Sequence, residues 1–185
     1  MAEQRRPKQP SVQDERRHLR GRTVELRLVT LEDAPAVADL LAQPSVRAWW
    51  GVYDEERLRE DVFELPEERA SFAIVVEGAV VGLIQCWEEN TPDYRHASLD
   101  IAVRHEFQGR GIGRDALRTL ARYLFERGHH RLTIDPSATN ERAIRAYSRL
   151  GFKPVGIMRR YERGEDGTWH DGLLMDLLAE EMTDG

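Results

Sequence analysis

Gln108-Gly109-Arg110-Gly111-Ile112-Gly113 sets three glycines in six residues between an apolar, strand-like run and a helix-like one. Glycine tolerates positive φ and lets the backbone approach a ligand closely. The start of a following helix offers free N–H groups and a partial positive charge, so such a bend can cradle an anion. Arg110 and Arg114 add guanidinium groups suited to phosphate. The spacing is G-x-G-x-G rather than the G-x-G-x-x-G of a dinucleotide turn, and no G-K-[ST] triplet marks a P-loop. A tight turn that needs glycine only for its own geometry is the other reading of the hexapeptide alone.

Two carboxylates fall where the pattern is apolar. Asp100 interrupts Leu99–Val103, and Asp135 ends the apolar run at Leu132–Ile134, beside Pro136. Such a carboxylate is costly unless it has a task or a partner. The alternatives are an outward-facing Asp100 and an Asp135 that caps a turn. The six histidines show no metal-ligand spacing, so no metal is expected, and the helix dipole suffices to explain His129-His130 at a helix end. The lone Cys86 excludes an internal disulfide and reads as a buried structural thiol.

Two segments together resemble a known superfamily. The run from Val103 to Gly113 is similar to the [Q/R]-x-x-G-x-[G/A] acyl-CoA turn of the GNAT N-acetyltransferases, with Gln108, Gly111 and Gly113 at the defining positions. Downstream, Asn140, Tyr147 seven residues on, and Gly151-Phe152 resemble that superfamily's second signature. The resemblance implies a mixed, mostly antiparallel α/β sheet splayed at its centre with helices on both faces. It also implies acetyl-CoA as co-substrate. Ile101, Ala102 and Val103 would pair with the pantetheine arm. Gln108, Gly109, Arg110, Gly111, Ile112, Gly113 and Arg114 would hold its diphosphate. Asn140 would hold the pantetheine side, cap the next helix, or both.

Transfer to a primary amine requires the neutral amine, which is mostly protonated near pH 7. A base must remove that proton and an acid can return one to the departing thiolate. Asp100 is assigned as base. Tyr147 matches the superfamily's acid tyrosine, with a core aromatic as the alternative.

A narrower likeness carries an acceptor. Trp49-Trp50-Gly51, Asp100, and Asp135-Pro136-Ser137 followed by Asn140 through Tyr147 resemble aminoglycoside 6'-N-acetyltransferases. Trp49, Trp50, Glu88, Asp100 and Asp135 are the expected substrate-binding residues, tryptophan faces and carboxylates both suiting ammonium groups. Core packing for the tryptophans and solvated helix faces for the acidic runs are the plain alternatives. The C-terminal segment from Arg160-Tyr161 to Asp171 looks more like enzymes that acetylate protein N-termini. An N-terminal or small-metabolite amine is therefore the second acceptor reading.

The elements that must position these residues follow from periodicity. Val24–Val29 alternates as a strand, and Thr30 with Asp33 opens a helix carrying Val37, Leu40 and Leu41. An acidic helix is expected over 55–64, and strands over 72–76 and 80–87 turn at Glu77-Gly78. A strand at 97–103, a helix at 114–127, a strand at 132–135, a helix at 140–150 and a hairpin from 152 to 177 complete the order.

At 185 residues the chain suits one domain, and no period or low-complexity linker divides it. Residues 1–22 hold seven basic and three acidic side chains, a net of +4; the whole chain carries −6, so residues 23–185 carry −10. The leader reads as a flexible basic tail and 23–185 as the acetyltransferase domain. An acidic body favours small cationic amines over nucleic acid. No apolar run approaches a membrane span, so a cytoplasmic monomer or homodimer is expected.

Overall fold

The computed structural model describes residues 18–183. Its eight-stranded sheet runs in the order β1-β2-β3-β4-β5-β6-β8-β7, comprising β1 (Leu19–Arg20), β2 (Glu25–Leu28), β3 (Arg69–Val76), β4 (Ala79–Glu89), β5 (His96–Val103), β6 (Arg131–Ile134), β7 (Lys153–Arg163) and β8 (Trp169–Leu178). All neighbours are antiparallel except β5 and β6. Helices α1 (Ala34–Ala42), α2 (Pro44–Trp50) and α3 (Glu55–Leu58) cover one face. Helices α4 (Ile112–Glu126) and α5 (Glu141–Ser148) cover the other.

Strand alternation divides the core between the two faces. Ile84, Cys86, Ala97 and Leu99 pack with Leu117, Leu120 and Leu124 of α4. Leu83 and Ala102 pack with Val37, Leu40, Val46 and Val62 on the opposite side. Asp100 shares the parity of Ala102 and therefore faces α1–α3. Burial raises the Cys86 thiol to about 12, in keeping with a structural thiol.

Local chemistry fixes the element ends. The Thr30 N–H donates to Asp33 Oδ2 at 2.9 Å, and Asp33 also takes two bonds of 2.7 Å from the Arg27 guanidinium. Glu77 and Gly78 both adopt positive φ, as a tight two-residue hairpin requires. The acidic helix expected over 55–64 ends its α geometry at Leu58 and continues as a π turn over Arg59–Phe63. Residues 44–50, expected only to follow the first helix, form α2, which opens on Pro44.

The tail boundary expected at residue 22 needs correction. Residues 1–17 lie outside the described residues, but Leu19 and Arg20 pair with Leu26 and Glu25. The Asp115 carboxylate explains the docking. From the first turn of α4 it accepts the N–H groups of Arg22 (3.1 Å), Thr23 (2.7 Å) and Val24 (3.1 Å). No helix among the described residues is long and apolar enough to cross a membrane.

The sheet opens at its centre. β5 follows β4 as far as the pair Gly82–Val103, but meets β6 only at Ala97–Leu132 and Ser98–Thr133. The Ser98 and Thr133 hydroxyls, 2.9 Å apart, close that seam. Beyond it Leu99–Val103 diverge from β6, leaving a cleft at the sheet's middle.

Candidate active site

A cavity of about 670 Å³ occupies the cleft, within the range of small-molecule sites. One end is cationic. Gly109 (φ 75°) and Gly111 (φ 82°) carry the turn before α4, and a Cβ at either would meet nothing within 4 Å. Open space lies beside the backbone, and the first turn of α4 leaves its N–H groups without helical acceptors. Arg114, Arg142, Arg145 and Arg149 line the same cavity. Gln108 fixes the turn by donating from Nε2 to the Val103 carbonyl at 2.8 Å, while its Oε1 accepts from Arg142. A diphosphate-bearing co-substrate fits this donor set.

Ile101, Ala102 and Val103 line the middle of the cavity along the diverging edge of β5. The Ile101 N–H donates to Asp100 Oδ1 at 2.9 Å. Asn140 also lines the cavity and caps α5, accepting from the Ala143 N–H at 3.2 Å, so both readings of this residue have a geometric basis. Two expected residues turn away. Arg110 places its guanidinium 5.6 Å from the centre of the Phe107 ring, and Ile112 is buried in the core.

The other end is anionic and aromatic. Asp100, Asp135 and Glu162 line it with Trp49, Trp50 and Tyr161. Asp100 opens into the cavity yet is ringed by protein. Burial, then the nearby Asp135 carboxylate, pushes its carboxyl up to about 7. Burial likewise raises Asp135, and burial followed by the Asp135 charge raises Glu162. The neighbouring Asp135 carboxylate, with burial, lifts the Tyr161 phenol to about 12. Tyr147 is 8% exposed and tilts against Phe152 with ring centres 6.1 Å apart. Burial and the charges of Asp100 and Asp135 hold its pKa well above the ordinary phenol value, so it stays protonated. The arrangement thus combines a carboxylate poised near neutrality with a hydroxyl that keeps its proton.

Glu88 does not belong to this site. Its parity on β4 matches Ile84 and Cys86, which puts it on the α4 side, 1% exposed. There it accepts from Arg127 at 2.9 and 3.0 Å and lies 2.6 Å from His129 Nε2. His129, read from sequence as explained by a helix dipole, is instead buried at 2% exposure against this carboxylate. Some of the acidic surface expected to attract substrate is likewise paired, as in Arg57–Asp61 and Arg59–Glu64. Among the described residues no group of histidine, cysteine and acidic side chains is arranged to hold a metal.

Tyr161 and Glu162 were not among the residues picked from sequence for this site. They reach it through a bulge: between the pairs Met158–Gly172 and Glu162–His170, Arg159, Arg160 and Tyr161 face Asp171 alone. Arg160 takes φ 51° there, and its N–H donates to Asp171 Oδ1 at 2.8 Å. At the tip of the hairpin Glu165 accepts from Arg47 of α2 at 2.8 and 3.3 Å, which ties the strand pair to the tryptophan-bearing helix.

Comparison with known proteins agrees with the cavity's chemistry. The sequence pattern of the acetyltransferase (GNAT) family matches residues 35–152. An aminoglycoside N(6')-acetyltransferase type 1 of Klebsiella pneumoniae is 29% identical over 155 residues, covering 74% of this chain and 77% of the relative. A ribosomal-protein alanine N-acetyltransferase of Escherichia coli K12 is 37% identical over 78 residues, 42% of this chain and 52% of that one. The crystal structure of a spermidine N-acetyltransferase from Vibrio cholerae, in complex with CoA and spermine, superposes with a TM-score of 0.75 at 20% identity. The match covers 86% of this chain and 97% of that one. The chain belongs to the GNAT family and is an acetyltransferase that uses acetyl-CoA as co-substrate.

Proposed function

We propose that the enzyme moves the acetyl group of acetyl-CoA directly to a primary amine in a ternary complex, the favoured acceptor being the 6'-amine of an aminoglycoside. One observation carries this reading: a single cavity joins a cationic, glycine-lined end to an anionic, aromatic end, with Asp100 and Tyr147 along its walls. The first end suits the coenzyme's phosphates and the second suits a polycationic sugar. Asp100, titrating near 7, takes the ammonium proton directly or through water. The amine nitrogen then bonds to the thioester carbonyl carbon. The main-chain N–H of Val103, or that of Ile101 once it gives up Asp100 Oδ1, stabilises the oxygen as charge develops on it. When the carbon–sulfur bond breaks, the thiolate takes its proton from Tyr147. The products are the amide and free coenzyme A; of the two protons the nitrogen sheds between ammonium and amide, the one taken by Asp100 passes to solvent, and the one released after the carbon–nitrogen bond forms restores Tyr147.

A second acceptor reading rests on the long hairpin β7–β8 and on the ribosomal-protein relative: an N-terminal α-amine or a small-metabolite amine. Release of coenzyme thiol with kanamycin, spermidine and an alanine-initiated peptide separates the two. Turnover with kanamycin at a kcat/KM at least tenfold above the others supports the first reading. Release only with the peptide or spermidine replaces it with the second.

A further inference from the structure

We propose that Glu162 is a specificity-determining residue: with Asp135 it holds a second ammonium group of the acceptor, so the site selects amines with two cationic centres over amines with one. The inference rests on the primary-amine reading above and concerns a residue outside the transfer step itself.

The reacting nitrogen must be neutral when it attacks, and the proton it sheds goes to the base. It therefore leaves the charges of Asp135 and Glu162 unopposed. Neither Asp100 nor Glu162 forms an ion pair with a described residue, although protein rings Asp100 and both open into the cavity. Their mutual repulsion is real: the Glu162 charge raises Asp100, and the Asp135 charge raises Glu162. Arg69 opposes the charge on Asp100, and His170 and Arg57 that on Glu162, but none of them forms an ion pair with these carboxylates, and a ligand cation would add the close contact they lack.

The backbone is built to aim this residue. A regular hairpin would keep Glu162 on the plain alternation of β7. The one-residue bulge between Pro154 and Gly156 shifts that alternation, and the three-against-one bulge at Arg159, Arg160 and Tyr161, held by the Arg160 N–H bond to Asp171, bends the strand just before Glu162. Asp135, Tyr161 and Glu162 line the same cavity, so the two carboxylates face one acceptor space. The pairing of Arg47 with Glu165 brings the hairpin against α2, so the carboxylates share a cavity with the flat faces of Trp49 and Trp50.

The test compares a hexose bearing one primary amine with the same hexose bearing two, by coenzyme thiol release from the wild type and from Glu162→Gln. The wild type should favour the diamine by about tenfold in kcat/KM, the value of one charge-assisted contact. Glu162→Gln should lose that preference because KM rises about tenfold for the diamine and far less for the monoamine; the lost charge lowers the Asp100 pKa for both sugars alike, and Glu162→Asp should recover part of the preference. Equal kinetics for the two sugars in the wild type, or an equal loss for both in the variant, overturns the inference and leaves the primary-amine reading intact. Absence of turnover with every amine overturns both.

Discussion

Two sets of carboxylates sit on opposite faces of the same sheet and behave oppositely. On the α4 face Glu88 is almost wholly buried, yet hydrogen bonds from His129 and Arg127 outweigh that burial and hold its carboxyl below the ordinary value. On the other face Asp100 has no such partner, and burial with the Asp135 charge drives it up to about 7. The difference is one of partners rather than of depth. A carboxylate whose charge the protein itself satisfies serves the fold; one left uncompensated in a cavity is available for chemistry.

The largest expected effect concerns the open set. Asp100→Ala should cut turnover by about 10²–10⁴, the usual contribution of a general base, with coenzyme affinity nearly intact. Near-normal turnover would erase the distinction between the sets. The converse substitution is Glu88→Ala, which removes the buried carboxylate that accepts from Arg127 and faces His129. It should cost about 3–5 kcal/mol of unfolding free energy, read by denaturant titration, while activity per folded molecule persists. Because the folded Glu88 pKa is lowered, its contribution is present above the unfolded value near 4.5 and is lost as pH falls through the folded pKa. The deficit of Glu88→Gln should accordingly shrink in acid.

Tyr147→Phe keeps the packing against Phe152 and removes only the hydroxyl. Turnover should drop by about 10² with little change in Tm, because the expected loss is that of a general acid. A pH comparison sharpens the contrast further. The folded Asp100 pKa is raised from 3.8 to about 7, so the stability attached to its neutral form is lost as pH rises through 7. Asp100→Asn should therefore raise Tm more at pH 8 than at pH 5, and the limb of kcat/KM that rises near pH 7 in the wild type should vanish. The smallest effect is expected of Gly111→Ala. The left-handed backbone costs alanine about 1–2 kcal/mol, with no steric clash to add, and coenzyme affinity should weaken several-fold.

Much of this arrangement was legible in the sequence because its signals are local. The strand, glycine turn and α4 are contiguous, and Asp100 stood out as a charge in an apolar run. Asn140 and Tyr147 lie on a single short helix. What was not legible depends on distant partners or broken alternation. Glu88 reads as an acceptor residue because it is a carboxylate, yet its strand parity puts it on the α4 face, and its partners come from just past the end of α4, some forty positions on. Glu162 is not legible because the alternation of β7 is shifted between Pro154 and Gly156 and the strand then bends at a three-residue bulge that no turn residue in Arg159-Arg160-Tyr161 announces. The docking of Leu19 and Arg20 depends on Asp115, far along the chain, and so the basic leader read as a tail throughout.

The two-residue seam between β5 and β6 leaves the sheet nearly severed, with a five-stranded leaf on one side and a three-stranded leaf on the other. Main-chain groups that would have stitched the leaves together are instead left for a visitor. Acetyl-CoA entering the gap thus becomes a temporary member of the architecture, and the empty enzyme is the looser form. Amide exchange along the facing edges of Leu99–Val103 and Asp135–Ser137 should slow when the coenzyme binds, because the ligand couples catalytic readiness to the cohesion of the whole domain.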